Sequence, residues 1–356
     1  MSAAATLSQS FAAAPNPMEA GFELIDSSDI SLVQTGWQGD FESGSWESSL
    51  SFAYGHYSMD YVPVDFDFNG IERNLTEENI ALQFNTQRQV TQRVSISAGA
   101  GIYDGFTNYR SVWLDEYYRQ QFSDLGDIPG AEDYVDAKPK GINATFGGRW
   151  EYKQGTGFAQ LDISGLKDDV SPGYEIDFDG LRSGELELYT GAISLSTENV
   201  LSKRIRSYLS FRASETTDRS PRFGADAALH IAMGDNWVTR LNVGGAIEHP
   251  QFEAFFSSIA FEQRVNDSFS WYVDFRYYED TGEIENALLF TSAAPGLESK
   301  RIGLGFRWIG DRWSGRIYIA PLETDYDPTQ ENIDFFQNLY ADRDWAVFQI
   351  AVSRTL

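Results

Sequence analysis

A chain of 356 residues is long enough for two ordinary domains or for one large barrel. Its formal net charge of −26 argues against nucleic acid and against docking on anionic lipid through a basic patch. With no cysteine there are no disulfides or thiolate metal sites, and no run of about 18 apolar residues offers a membrane-spanning helix.

Met1 to Ala14 is small and mildly apolar and ends Ser10-Phe11-Ala12-Ala13-Ala14, as the tail of a secretory signal peptide does, although no basic region precedes it. The alternative is an ordinary flexible terminus. Residues 15–45 are read as an N-terminal periplasmic extension or small plug, with a short extra strand within Ala20 to Trp37 as a further option.

From residue 46 onward, apolar residues recur with period two. Leu50, Phe52 and Tyr54 alternate with Ser49, Ser51 and Ala53; Val94, Ile96, Ala98, Ala100 and Ile102 alternate with serines and glycines. The same pattern returns at Phe269/Trp271/Val273/Phe275, at Ile302/Leu304/Phe306/Trp308 and last at Phe348/Ile350/Val352. This is the signature of strands with one apolar face. It predicts strands near 46–61, 77–88, 91–104, 142–153, 156–167, 184–196, 202–213, 222–234, 236–248, 252–264, 268–279, 299–309, 312–320 and 344–356. The total is about fourteen, within a range of about twelve to sixteen.

Connection length alternates as well. Short turns such as Gln154-Gly155-Thr156, Gly234-Asp235-Asn236 and Val265-Asn266-Asp267 are interleaved with long connections near 62–76, 105–141, 168–183, 280–298 and 321–343. Only the connection at His249-Pro250 breaks the rule. Segregation of loop length by parity is expected of an up-and-down transmembrane barrel and not of a sandwich or propeller. Trp46, Tyr57, Tyr61, Trp150, Tyr152, Trp237, Tyr277, Tyr278, Trp308, Trp313 and Trp345 lie toward strand ends, where interfacial aromatic girdles form.

In these features residues 46–356 resemble the porin-like outer-membrane β-barrels of Gram-negative bacteria. Phe348, Ile350 and Val352 resemble their C-terminal insertion strand, with Leu356 where that family commonly has Phe and with Arg354 interrupting the face. The resemblance implies an all-β antiparallel barrel in the bacterial outer membrane, with short periplasmic turns and long outer loops. It also implies outer-membrane lipid and the barrel-insertion machinery as partners.

If the apolar parity meets lipid, the other parity lines the lumen. It offers a basic set of Arg149, Arg204, Arg206, Arg212, Arg240, Arg276, Arg301, Arg307 and Arg316. The acidic set is Glu47, Asp162, Glu185, Glu187, Asp226 and Asp274. Opposed walls of unlike charge order water and favour polar solutes. The long connection 105–141 carries Arg110, Trp113, Asp115, Glu116 and Arg119 and is expected to fold inward as a constriction. The acidic loops form a solvated rim; no Asp-x-Asp-x-Asp-Gly calcium loop is present and no metal is expected.

His56, His230 and His249 have no nucleophile motif beside them, so neither an enzyme nor a cofactor is expected. The expectation is a monomeric channel for passive diffusion of small polar solutes or ions. The alternatives are a hydrophobic-substrate transporter, which fatty-acid transporters resemble in strand count, and a closed structural or adhesive barrel.

Overall fold

The computed structural model describes residues 17–61, 73–106, 112, 139–169, 173–177, 180–184, 187–217, 219–249, 252–282, 295–327 and 340–355. The expected segment at residues 1–14 lies outside them.

Among the described residues, sixteen strands close into one antiparallel barrel. In chain order they are β1 (Pro17–Asp26), β2 (Ile30–Ser43), β3 (Trp46–Tyr61), β4 (Arg73–Thr91), β5 (Val94–Asp104), β6 (Lys140–Lys153) and β7 (Gly157–Asp169). After the short β8 (Gly173–Asp177) and β9 (Gly180–Gly184) come β10 (Glu187–Ser202), β11 (Ile205–Thr216), β12 (Arg222–Met233) and β13 (Trp237–Glu248). The wall is completed by β14 (Phe252–Asn266), β15 (Phe269–Asp280), β16 (Leu297–Ile309), β17 (Trp313–Tyr326) and β18 (Arg343–Thr355). β8 and β9 pair only with each other, as a separate hairpin in the connection between β7 and β10.

The all-β barrel is as expected, and the strand count corrects the fourteen-strand reading. Of the segment 15–45 expected as an extension or plug, the described residues from Pro17 onward are wall: β1 and β2 are wall strands, and β1 closes the barrel against β18 from Pro17↔Thr355 to Asp26↔Ala346. Their periodicity was hard to see because glycines and acidic residues share the apolar parity: Gly39 and Asp26 sit on the same face as Phe22, Trp37 and Phe41. With sixteen strands, the likeness in strand number to fatty-acid transporters falls away.

The seven connections at one end are turns of two or three residues, and the longer connections lie at the other end. We call these the turn end and the loop end. Two loop-end connections are short, at residues 27–29 and 249–251, so His249 sits at this end without breaking the parity.

The outer face is apolar. Phe52, Leu82, Ile102, Ile142, Phe146, Ile163, Phe211 and Ile302 are all exposed, as a wall facing hydrocarbon must be. At its turn-end margin stand Trp46, Trp150, Trp237 and Trp313, and Arg354 lies 5.4 Å from the Trp313 ring centre, consistent with a side chain reaching the interface. Tyr152, Tyr277 and Trp308 share the outward parity. Tyr57, Tyr278 and Trp345 do not: the register turns them inward, and Tyr57 and Trp345 are buried there. The side chain of Tyr61 lies outside the described residues. No helix of the described residues is long and apolar enough to cross a membrane.

Candidate functional site

Strand register fixes which side chains point into the barrel, because each strand's inward residues are the set opposed to its neighbours' inward set. Arg149, Arg206, Arg212, Arg240, Arg276, Arg301, Arg307 and Arg316 all take the inward parity, as do Glu47, Asp162, Asp226 and Asp274. Three of the expected lumen residues do not take this place. Arg204 sits in the tight turn between β10 and β11, exposed at the barrel's end. Glu187 faces outward and pairs with Lys167. Glu185 lies outside the described residues.

The inward arginines do not form a bare basic wall. Each of two glutamates draws a pair of them together in the turn-end half of the lumen. Glu198 of β10 is 3.4 Å from Arg149 and 4.0 Å from Arg206, and it accepts a 3.5 Å hydrogen bond from the Tyr208 hydroxyl. Glu262 of β14 is paired with Arg240, lies 3.1 Å from Arg307 and accepts a 2.8 Å hydrogen bond from Ser270. The Arg149 and Arg307 contacts each skip an intervening strand, so the pairing is made across the inner surface. Each triad keeps one excess positive charge.

Across the barrel from β11 and β13 lie β1 to β3, whose turn-end lumen positions are Glu19, Asp40, Glu42 and Glu47. Glu42 and Glu47 are directly opposed in register, a like-charge pairing that costs stability unless water solvates it. Arg316 is close enough to Glu19 to interact with it electrostatically. An unlike-charge arrangement therefore exists, but its positive side is made of Arg–Glu–Arg triads.

Nearer the middle, Asp274 is buried between Arg276 at 3.1 Å and Arg301 at 4.0 Å. Along β16, Arg301, Gly303, Gly305 and Arg307 occupy successive inward positions. The rings of Tyr318 and Tyr272 lean over the two glycines from either side and stack on each other, 6.0 Å apart and 14° from parallel. Arg301 caps Tyr318 at 5.3 Å and Arg307 caps Tyr272 at 4.9 Å. Cation–π contacts of this kind are worth roughly 0.5–2 kcal/mol each, so the stack holds both guanidinium groups against the wall.

At the loop end, Arg222 meets Glu248 at 2.9 Å, and the buried Arg343 meets Asp29 at 2.8 Å. Burial pushes the Asp29 carboxyl up, but the hydrogen bonds and charge of Arg343 outweigh it and hold the group below the usual carboxylate range.

Besides the charged Arg149, Asp162 and Glu198, the inward positions of β4 to β10 include Asn85, Ser97, Asn143, Thr145, Ser164, Ser194 and Ser196, none of them buried. Gly99 and Gly101 belong to this wall, and the side chains of Asn85 and Gln83 lie over them, which is the close packing expected of a strand glycine pair. The expected constriction residues Arg110, Trp113, Asp115, Glu116 and Arg119 lie outside the described residues. Of the same connection, Phe106 and Val112 are described, and both are buried.

Glu19, Glu23, Asp40, Glu198, Glu248 and Glu262, along with Arg222, Arg343, Tyr272 and Tyr318, were not singled out from sequence. Parity alone could have found Glu198 and Glu262, which sit on the lumen face of strands whose alternation is least regular. His56 turns outward, 3.9 Å from Glu78; the His230 ring centre lies 4.9 Å from that of Tyr208; His249 is exposed at the loop end.

No family model and no curated protein matches this sequence. Solved structures do match in fold. CdiB from Acinetobacter baumannii is 9% identical with a TM-score of 0.55, covering 96% of this chain and 60% of its own. The fold is that of an outer-membrane β-barrel. The chain spans about three fifths of the length of CdiB. The Pseudomonas putida toluene transporter TodX is 11% identical with a TM-score of 0.47, covering 97% of this chain and 91% of its own. The CymD monoaromatic hydrocarbon channel is 9% identical with a TM-score of 0.44, covering 96% and 88%. At 9% identity the likeness to CdiB shows the fold alone. An outer-membrane β-barrel belongs in the bacterial outer membrane, with the short turns of this one in the periplasm and its loops outside.

Proposed function

We propose that this outer-membrane β-barrel is a passive channel for small polar solutes and ions. The observation that carries the reading is that inward-pointing polar side chains remain exposed. Asn85, Gln87, Arg149, Arg206, Arg212 and Arg276 all point into the barrel, yet all are solvent-accessible. Sixteen strands make a barrel wider than its own side chains fill. Water-filled volume lined by guanidinium, amide and hydroxyl groups suits polar solutes, whose lost hydration such groups replace.

Selectivity would arise in the turn-end half, where two triads of net positive charge stand across from Glu19, Asp40, Glu42 and Glu47. A field across the lumen orients dipolar solutes and penalises apolar ones. We read no hydrolytic role: among the described residues, none of the three histidines meets a serine hydroxyl, and their neighbours are Glu78 and Tyr208.

Single-channel recording of refolded protein in a planar bilayer under a salt gradient tests this. Discrete ohmic steps are expected, and the sign of the reversal potential reports which charges govern. A folded, inserted but silent barrel would overturn the reading in favour of a closed or hydrophobic-substrate barrel.

A further inference from the structure

The outer face carries its charge unevenly. At the loop end its outward positions hold many carboxylates, among them Asp60, Glu78, Asp104, Asp169, Glu253 and Glu323. The lysines of the described strands at that end are all paired within the protein: Lys140 lies 3.4 Å from Asp169, Lys167 meets Glu187, and Lys300 meets Glu298. The turn end is different. Short of the register shifts at the strand tips, the outward charged residues of the described strands there are two arginines, Arg88 and Arg354. Each is exposed and sits opposite a tryptophan in register, Arg88 5.5 Å from the Trp46 ring centre and Arg354 5.4 Å from that of Trp313. Neither meets a carboxylate among the described residues.

The Arg88 pair heads a ladder of four outward rungs on β3 and β4. From the turn end toward the loops, Trp46↔Arg88 is followed by Ser48↔Thr86, Leu50↔Phe84 and Phe52↔Leu82. The Ser48 and Thr86 hydroxyls are 2.8 Å apart, and Phe52, Leu82 and Phe84 are exposed. Successive rungs are separated by about 7 Å along the strand. The adjoining turns, Gly44-Ser45 and Gln92-Arg93, add a second cation and no carboxylate. Glu42 and Glu47 take the inward parity, as does Glu151, whose carboxylate accepts the Gly155 amide. The Arg354 pair lacks this setting: its next rung is Gly315↔Val352, without a hydroxyl, and the turn before Trp313 carries Asp311.

A wall position at this depth meets lipid, and at the turn end that lipid belongs to the periplasmic leaflet. We propose that the β3–β4 ladder is a binding site for an anionic glycerophospholipid of that leaflet. The lipid phosphate bonds the Arg88 guanidinium, whose fork of donors matches phosphate oxygens. The Trp46 indole sits at headgroup depth, and its N–H, which bonds nothing among the described residues, donates to the same head. The glycerol and ester groups lie at Ser48 and Thr86, and the acyl chains run over Leu50, Phe84, Phe52 and Leu82. Cation, hydroxyl and hydrocarbon thus follow one another in the order of a phospholipid read from head to tail. A zwitterionic head would bring an ammonium group with no carboxylate to receive it; an anionic head leaves no charge unmatched. The site lies outside the lumen and does not depend on the barrel being a channel.

Native mass spectrometry of the full chain refolded in detergent tests this, with phosphatidylglycerol and phosphatidylethanolamine of identical acyl chains as probes. The wild type should retain phosphatidylglycerol about fivefold or more over phosphatidylethanolamine. R88Q should lower phosphatidylglycerol retention by a similar factor and abolish the preference. R354Q should bind as the wild type does. Equal retention of the two lipids by the wild type would overturn the proposal and leave Arg88 a side chain that only reaches for water. Undiminished binding to folded R88Q would overturn it too, and so would an equal loss in R354Q, since charge alone would then hold the lipid. The comparison of the two lipids uses wild-type protein, so the test survives if R88Q does not fold.

Discussion

The two sides of the lumen are built differently. From β15 through β18 to β1 the inward positions carry Tyr272, Arg301, Arg307, Tyr318, Trp345 and Glu23; Tyr318, Trp345 and Glu23 are buried and the other three half-buried. Tyr318, Ala320 and Val347 make a small core there, with Ile25, Tyr272 and Leu322 packed around it. From β4 to β10 the same parity carries serine, threonine, asparagine and glycine beside Arg149, Asp162 and Glu198, and among the described residues no comparable stack covers the wall. A barrel of this width has room for one thick side and still keeps space beside it. The thick side contains the seam where β1 meets β18, the pairing with the largest sequence separation and hence the largest closure entropy. Among the described residues, packing is concentrated where closure most needs it.

That contrast can be broken by overfilling the thick side. A side chain at Gly305 would run into the Tyr272 ring, so Gly305→Val should unstack the Arg301–Tyr318–Tyr272–Arg307 column. The expected cost is about 1–3 kcal/mol in denaturant unfolding from lipid vesicles. Ser194→Val on the thin side should cost under about 0.5 kcal/mol. Equal costs would mean that the two sides do not differ in packing.

Conduction sharpens the same contrast. Replacing Ser194 and Asn143 by Trp should lower single-channel conductance by an amount on the order of one third, because indoles would enter the open side. Ala351→Leu, set in the buried side, should leave conductance nearly unchanged.

Selectivity separates exposed from packed guanidinium groups. The side chains of Arg206 and Arg149 are 60% and 43% exposed, while those of Arg301 and Arg307 are 14% and 22% exposed. Neutralising Arg149, Arg206 and Arg212 should therefore move the reversal potential toward cations by more than neutralising Arg301, Arg307 and Arg316. Glu262→Gln should move it toward anions, since Arg240 and Arg307 then lose their shared counter-ion.

The smallest expected effect lies at the loop end of the seam. Asp29 is held below the usual carboxylate range, so its bond to Arg343 contributes stability in full above that range, about pH 4. The contribution is lost as pH falls through the lowered value. Asp29→Asn should flatten the acid limb of the stability profile and leave its slope near neutrality unchanged.

Much of the wall was readable in advance. Period-two alternation marked fourteen of the sixteen wall strands, and β3 was placed at 46–61, as found. The signal failed at β1 and β2 because glycine and carboxylate occupy outward positions there, and hydropathy reads them as loop. Eight of the nine arginines assigned to the lumen face it. Arg204 does not, because a two-residue turn begins at Lys203 and parity means nothing past the last ladder pair.

The sequence by itself determined the architecture: alternation sets which face is apolar, loop length sets which end is which, and both are local properties of the chain. It could not determine which charges meet. Arg307 and Glu262 are 45 residues apart, and Arg149 and Glu198 are 49 apart, on strands separated by another strand. Only the register and tilt of the closed barrel bring those atoms together. Closure likewise decided that one side of the lumen would be packed and the other open, since inward parity is the same on both and only neighbouring strands say what fills the space.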